Sequence, residues 1–399
     1  MNIVILGAGQ AAASLAAKLR ALGHAGTITI VGDEPVAPYQ RPPLSKAYLL
    51  GDMGVDRLTL RAPAWWAEND ITLRLGERAT GIDRAAKRVT TDKGQIPYDA
   101  LALTLGSTPR ALPADMGGAL RGVHVVRTLA DIDALAPDLT PGRRVVVIGG
   151  GYIGLEAAAV ARKLGVEVTL IEAAPRILGR VAASETAAMI RDLHQSHGVQ
   201  LIENRALDRI TGTDRADGVM LADGTHIPAD TVIVGIGITP ATELAEAAGL
   251  ELDNGIATDE FGRTSDPAIW AAGDCASFPH DEFGRMRLES VGNAIDMAEA
   301  VAANMLGANQ PYVPKPWFWS DQFDAKLQIA GLNHDYDSIV QRHSDSGGSV
   351  WYFRGPRLLA IDALNDARAY MIGKRLIESG RSPAPEAIET ATDLKELMK

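Results

Sequence analysis

A chain of 399 residues, 46% of them apolar, is long enough for two or three domains that each bury a core. Its net charge of −11 disfavours nonspecific binding to nucleic acid or to a membrane surface, and its single cysteine excludes an internal redox disulfide and a four-cysteine iron–sulfur cluster. Forty glycines and few aromatics suit an α/β protein with many strand-to-helix turns.

The first predicted element is a strand over Ile3-Val4-Ile5-Leu6, a run too short for a signal-peptide core. No apolar stretch reaches the ~18 residues of a membrane span, so a reducing cytoplasm is the expected compartment. The strand leads into the glycine turn Gly7-Ala8-Gly9-Gln10-Ala11-Ala12, an Ala-rich helix to about Leu22, and a second strand from Thr27 to Val31 ending at Asp33-Glu34. That is a βαβ dinucleotide unit. Gly7 permits the tight bend, Gly9 lets the backbone approach a pyrophosphate, and the small Ala12 allows close helix-to-strand packing. The residues that open the helix, Gln10 and Ala11, sit where unpaired N–H groups and the dipole favour an anion. A ribose hydroxyl falls to Asp33 or Glu34, between which the sequence does not choose.

Residues 41–88 carry a basic excess and residues 311–399 are nearly neutral, so these are the two places for an acidic partner to dock. From Arg144 the βαβ unit recurs: strand Val145-Val146-Val147-Ile148, turn Gly149-Gly150-Gly151-Tyr152-Ile153-Gly154, helix to about Leu164, and strand Glu167 to Ile171 ending at Glu172. Glu172 follows Gly151 by about 20 residues, the spacing of a ribose-binding acid that repels a 2′-phosphate and so prefers NADH. Arg176 is placed to accept that phosphate and tempers the preference.

Ala268 to Asp274 reads as a strand returning to the first domain, followed by a helix from about Asn293 to Leu306. Pro311, Pro314 and Pro316 then punctuate the chain before short strands such as Gln328 to Ala330 and Val350 to Phe353, and a charged tail after Ser382-Pro383-Ala384-Pro385 reads as a surface helix. The expected fold is α/β, with two doubly wound Rossmann-like domains and an α+β C-terminal domain: 1–110 with 235–310, the inserted 111–234, and 311–399. His194 and His197 share a helix face, yet no neighbouring acid or cysteine supports a metal site. Ser45 and Ser290 lack a Ser-His-Asp setting, and Cys275 reads as a small buried residue.

Five segments together carry a resemblance: Pro38-Tyr39-Gln40-Arg41-Pro42-Pro43-Leu44-Ser45-Lys46, Gly149 to Glu156, Ala272-Gly273-Asp274-Cys275, Glu289 to Ala294, and Trp317-Phe318-Trp319-Ser320-Asp321-Gln322. Over nearly its whole length the chain resembles the FAD-dependent NADH:ferredoxin reductases of bacterial oxygenase systems, which are similar in fold to glutathione reductase and include the reductases of putidaredoxin-like ferredoxins. The resemblance implies FAD in the first site and NADH in the second. It implies an ion pair of Lys46 with Glu156 beside the flavin, Asp274 on the ribitol chain, and Arg127, Ala79 and Val291 in contact with FAD. Arg41 is a candidate for the pyrophosphate. Leu105 to Pro109 resembles the crossover out of the FAD domain, and Gly235-Ile236-Gly237 the return. Tyr152 looks like a gate over the flavin, and Trp319 like an aromatic near the flavin face where ferredoxin docks. Glu156 is expected in the first turn of its helix, where the dipole favours a carboxylate.

The implied activity is hydride transfer from NADH to FAD, then delivery of single electrons to a small acidic two-iron two-sulfur ferredoxin supplying a monooxygenase or dioxygenase. That complex is expected to be transient and electrostatically steered, with Lys326, Arg57 and Arg61 at its rim and the reductase a monomer. Disulfide reductases and peroxidases of this fold carry cysteines early in the first domain, and this chain has none there. Alternative roles are reduction of rubredoxin or a small organic acceptor, or an NADH-responsive interaction protein similar to apoptosis-inducing factor, against which the missing targeting segment counts.

Overall fold

The structure is a computed structural model that describes residues 1–344 and 347–398. The chain divides into two compact units, the first made of Met1–Arg41, Gly54–Thr108 and Ile238–Pro316. At its centre is a five-stranded parallel sheet in the order Ile269–Ala271, Ala100–Leu103, Ile3–Leu6, Ile28–Gly32, Ile71–Leu75. Every residue of Ile3–Leu6 is buried, as an inner parallel strand covered on both faces requires. The helix Gln10–Ala21 packs against Val291–Met305, an approach that alanines on both helices allow. Ile269–Ala271 lies parallel to Ala100–Leu103, so the chain returns to its first sheet after more than a hundred residues elsewhere.

The second unit holds Pro42–Met53, Pro109–Gly237 and the chain from Trp317 onward. Its parallel sheet runs Gln200–Ile202, Glu167–Ile171, Arg144–Ile148, Thr231–Val234, Val123–His124. A second five-stranded sheet is antiparallel: Trp317–Gln322, Ala325–Gly331, Arg357–Leu364, Gly347–Arg354, Ser338–Ser344, with the helix Ala367–Glu378 packed on it. The short segment Pro42–Met53 belongs here because its turn Leu44–Tyr48 packs on the helix Tyr152–Lys163 and Tyr48 bonds Asp133 at 2.7 Å.

The doubly wound α/β expectation holds, and the C-terminal strands run longer than the sequence suggested. The tail forms a mostly exposed helix, Pro385–Thr390, and a 3-10 turn, Leu394–Met398, and the sequence did not show its anchor: Ile388 is fully buried among Trp351, Phe353, Ile361 and Leu376, with Leu394 beside them. A few apolar residues in a charged tail are enough to seat it in a core, which a count of charges hides. No helix among the described residues is long and apolar enough to cross a membrane.

Candidate active site

In the first unit, Gly7 bends the chain at φ 97°, and a Cβ there would stand 2.2 Å from the Thr104 carbonyl oxygen. Only glycine fits. The helix Gln10–Ala21 then begins at Gly9 with no side-chain cap, and nothing lies within 4 Å of where a Gly9 Cβ would be. An uncapped helix start above open space is a cradle for a pyrophosphate. Asp274 follows the strand Ile269–Ala271 and accepts the Ser107 hydroxyl at 3.0 Å. Val291 opens the helix that Ser290 caps through the Asn293 amide, which gives Ser290 a structural task. Ala79 begins a strand of a small antiparallel sheet, half-buried.

The two candidate ribose acids part company here. Glu34 accepts Tyr39 Oη and an Arg41 guanidinium nitrogen, each at 2.6 Å, while Asp33 stays exposed and pairs with Arg78 at 3.0 Å. Arg41 therefore lies against Glu34, with its guanidinium 5.1 Å from the centre of the Tyr39 ring.

The second unit repeats the turn. Gly149 has φ 104° and would clash at 2.3 Å with the Gly235 carbonyl, Gly154 would clash at 2.1 Å with the Gly149 carbonyl, and Gly151 again faces open space. Gly150 N–H donates to Glu172 Oε2 at 2.7 Å, and Ala174 N–H to Oε1 at 2.7 Å. Arg176 turns away from this acid, its guanidinium donating to the carbonyls of Ala182 and Ala183 at 2.8 and 3.4 Å. Ile153 is exposed beside the turn, and the Gly237 carbonyl accepts the Arg110 amide at 2.9 Å. Arg127 immediately precedes a capping box of Thr128 and Asp131.

Glu156 is the most heavily bonded side chain of the site. It is 2% exposed, on the helix Tyr152–Lys163 but beyond the first turn, which contains no acid. The helix dipole was expected to hold it; hydrogen bonds do so instead. Oε2 accepts Lys46 Nζ and Ser45 Oγ, and Oε1 accepts Ser320 Oγ, all at 2.7 Å. Lys46 also reaches the Pro42 carbonyl at 3.2 Å and sits at a break in its π-helical turn, with φ −133° and ψ −110°. Behind Ser320, Gln322 Nε2 donates to Ser320 Oγ at 3.0 Å, and Gln322 Oε1 lies 2.8 Å from His194 Nε2.

Strand alternation explains the grouping. Along Trp317–Gln322, Phe318, Ser320 and Gln322 share one face, and Phe318 packs on the Tyr152 ring at 4.7 Å. Trp317 and Trp319 occupy the other and stack at 5.4 Å, both half-buried. Sequence reasoning found Lys46 and Glu156 but dismissed Ser45 and left Ser320, Gln322 and His194 without a role. The period-two spacing of Ser320 and Gln322 was the available signal.

Residues 1–298 match the family described as pyridine nucleotide-disulphide oxidoreductase, and residues 317–398 the family described as reductase C-terminal. The chain belongs to the pyridine nucleotide-disulphide oxidoreductase family. It is 44% identical over 401 residues to rhodocoxin reductase of Rhodococcus erythropolis, covering 99% of this chain and 94% of that protein. It is 42% identical over 405 residues to a ferredoxin–NAD(P)+ reductase of Sphingomonas sp., covering 100% and 97%. A chain of the covalent putidaredoxin reductase–putidaredoxin complex matches with a TM-score of 0.95 and 40% identity, over 100% of this chain and 98% of that one.

Membership in the pyridine nucleotide-disulphide oxidoreductase family implies FAD and NAD(P)H, and the two uncapped, glycine-cleared helix starts fit two dinucleotides. The disulphide in the family's name has no counterpart in this chain. Cys275 is its one cysteine, fully buried, with burial pushing the thiol up to about 11. Among the described residues no cluster of three or more His, Cys, Asp or Glu is placed to hold a metal ion.

Proposed function

We propose that this protein is a monomeric, cytoplasmic NADH:ferredoxin reductase. It takes a hydride from NADH onto FAD and delivers single electrons to an acidic two-iron two-sulfur ferredoxin that serves an oxygenase. One observation carries the reading: two open dinucleotide turns in a chain whose only thiol is buried and protonated, so electrons leave for a separate carrier. The relatives act in the same sense, since one is named for rhodocoxin and one for ferredoxin.

Bound FAD supplies the redox chemistry that side chains lack. The chain's residues hold and orient. The amides at Gly9 to Ala12 would bind the FAD pyrophosphate, Ala79, Arg127 and Val291 would contact the cofactor, and Asp274 with Ser107 would hold the ribitol chain. Asp33 would meet the adenosine ribose, because its carboxylate is exposed and pairs only at the surface with Arg78, whereas Glu34 is half-buried and engaged by both Tyr39 and Arg41. Gly151 to Gly154 bind the NADH pyrophosphate, Gly237 lines the same site, Glu172 takes its ribose, and Tyr152 gives way as the nicotinamide enters. Lys46, fixed by Glu156, keeps a positive charge beside the flavin, where negative charge develops. Trp319 is the aromatic contact for ferredoxin, with exposed Arg57, Arg61 and Lys326 steering it.

Stopped-flow absorbance tests the reading. Mixing the purified flavoprotein with NADH bleaches the flavin band, and a second mix with an oxidised two-iron two-sulfur ferredoxin restores it. Glutamate at Arg57, Arg61 or Lys326 raises KM for ferredoxin and leaves NADH bleaching unchanged. A protein that purifies without flavin, or a bleached flavin that rubredoxin reoxidises and ferredoxin does not, overturns the assignment.

A further inference from the structure

The second unit contains one fully buried imidazole that the proposed mechanism leaves unused. His194 is 0% exposed on the helix Ser184–Ser196, and burial holds it neutral by lowering its pKa to about 4, even though its bond to Gln322 works the other way. Its Nδ1 has no hydrogen-bond partner among the described residues. A leucine or phenylalanine would fill the space beside Phe323 without burying an unsatisfied nitrogen. The other nitrogen, Nε2, lies 2.8 Å from Gln322 Oε1.

Resting on the reading of Lys46 as the cation beside the flavin, we propose that His194 is a positioning residue. Acting through Gln322 and Ser320, it keeps a hydroxyl proton aimed at Glu156, and thereby fixes the carboxylate that holds Lys46.

Hydrogen-bond direction sets the polarity of this chain. Ser320 has a single proton, and at 2.7 Å from Glu156 Oε1 it must donate, because an ionised carboxylate only accepts. Ser320 Oγ must then accept from its other neighbour, so Gln322 presents its NH2 there, at 3.0 Å, and its carbonyl to His194. His194 must therefore carry its proton on Nε2. Each link donates toward Glu156, and such aligned chains reinforce one another.

The opposite polarity fails at Glu156. With the proton on Nδ1, the bare Nε2 would accept from Gln322, the amide would turn its oxygen to Ser320, and the Ser320 proton would follow it away from the carboxylate. Nδ1 disfavours that state by having no acceptor, since a buried orphan N–H is rarer and costlier than a bare acceptor. The vacant nitrogen thus selects the useful tautomer. The charged and titratable groups around the chain are Lys46 at Glu156, and His197 on the same helix as His194, which stacks on Phe323 and faces Asp324.

The test uses the holoenzyme. Nitrogen-15 NMR of histidine-labelled protein is expected to show His194 as the neutral Nε2–H tautomer from pH 5.5 to 8.5, identified by its loss in His194→Gln or in His194→Phe, either of which suffices. His194→Phe should slow flavin reduction by NADH about tenfold at saturating NADH, the size of one charge-assisted hydrogen bond, with the KM for NADH unchanged. His194→Gln, which restores a donor near the Nε2 position, should recover most of that rate. In a Ser320→Ala background the His194→Phe effect should shrink below about twofold, because the path is already cut. An Nδ1–H or charged imidazole overturns the proposal even if the phenylalanine variant does not fold. So does full additivity of the two substitutions, or an unchanged rate in His194→Phe. A wild-type flavin that NADH does not reduce would instead sink the reductase reading and leave the tautomer result standing.

Discussion

The Glu172 carboxylate accepts the Gly150 amide at 2.7 Å, which ties the acid at the end of a strand to the glycine turn beside it. A 2′-phosphate entering this corner would meet a fixed negative charge, and the nearest arginine in sequence, Arg176, is occupied by the carbonyls of Ala182 and Ala183. Glu172→Gln is therefore expected to raise the efficiency of NADPH relative to NADH at least about tenfold, since each ~1.4 kcal/mol of relieved repulsion is a factor of ten. Flavin reduction rates with the two coenzymes measure it. An unchanged ratio would show that Glu172 does not set the preference.

Glu156 is held by one ammonium and two hydroxyls while almost wholly buried. Glu156→Ala leaves Lys46, itself only 17% exposed, without its carboxylate and leaves Ser45 and Ser320 without an acceptor. Removing one partner of a buried pair typically costs ~3–5 kcal/mol. The thermal midpoint of the flavoprotein should fall accordingly, and flavin reduction should slow with it. Glu156→Gln should be intermediate, since the amide oxygen still serves a serine while its NH2 opposes the lysine.

Both turns were legible in the sequence because a dinucleotide fingerprint is local: glycines, strand and helix fall within some thirty residues, and Glu172 lies at a fixed distance beyond. The return of Ile269–Ala271 was legible from its apolar run ending at Gly273-Asp274. The serine bonds to Glu156 and the links behind them were not, because Ser45, Ser320, Gln322 and His194 come from three segments more than a hundred residues apart along the chain. Periodicity shows which residues share a face, and says nothing of what that face meets. The different settings of Asp33 and Glu34 likewise come from Tyr39 and Arg41, whose reach depends on how their loop folds back.

Asp362 ties stability to pH. It is 1% exposed, accepts Thr186 Oγ1 at 2.8 Å and Tyr352 Oη at the same oxygen, and burial raises its pKa to about 6 against those two bonds. An unfolded aspartate loses its proton near pH ~4. Between that pH and about 6 the folded chain binds the extra proton, so this group's contribution is full below pH ~4 and is lost as pH rises through about 6. Asp362→Asn carries no such titration. The stability of wild type minus variant, from urea unfolding at pH 4.5 and pH 7.5, should drop by ~2 kcal/mol across the interval. A difference independent of pH would place the proton elsewhere.

In the tail, burial and charge act at separate residues. Ile388 is fully buried in the C-terminal core, and the Arg342 guanidinium donates to the carbonyls of Ile388, Glu389 and Ala391, which fixes the helix Pro385–Thr390 by backbone as well as by side chain. Truncating a buried isoleucine to alanine costs ~2–5 kcal/mol, whereas exposed substitutions stay within ~0.5 kcal/mol. Ile388→Ala should therefore speed hydrogen–deuterium exchange across residues 385–394 and in the strand bearing Trp351. Glu386→Ala, exposed on the same short helix, should leave both unchanged. Equal exchange in the two variants would mean that Ile388 does not anchor the tail.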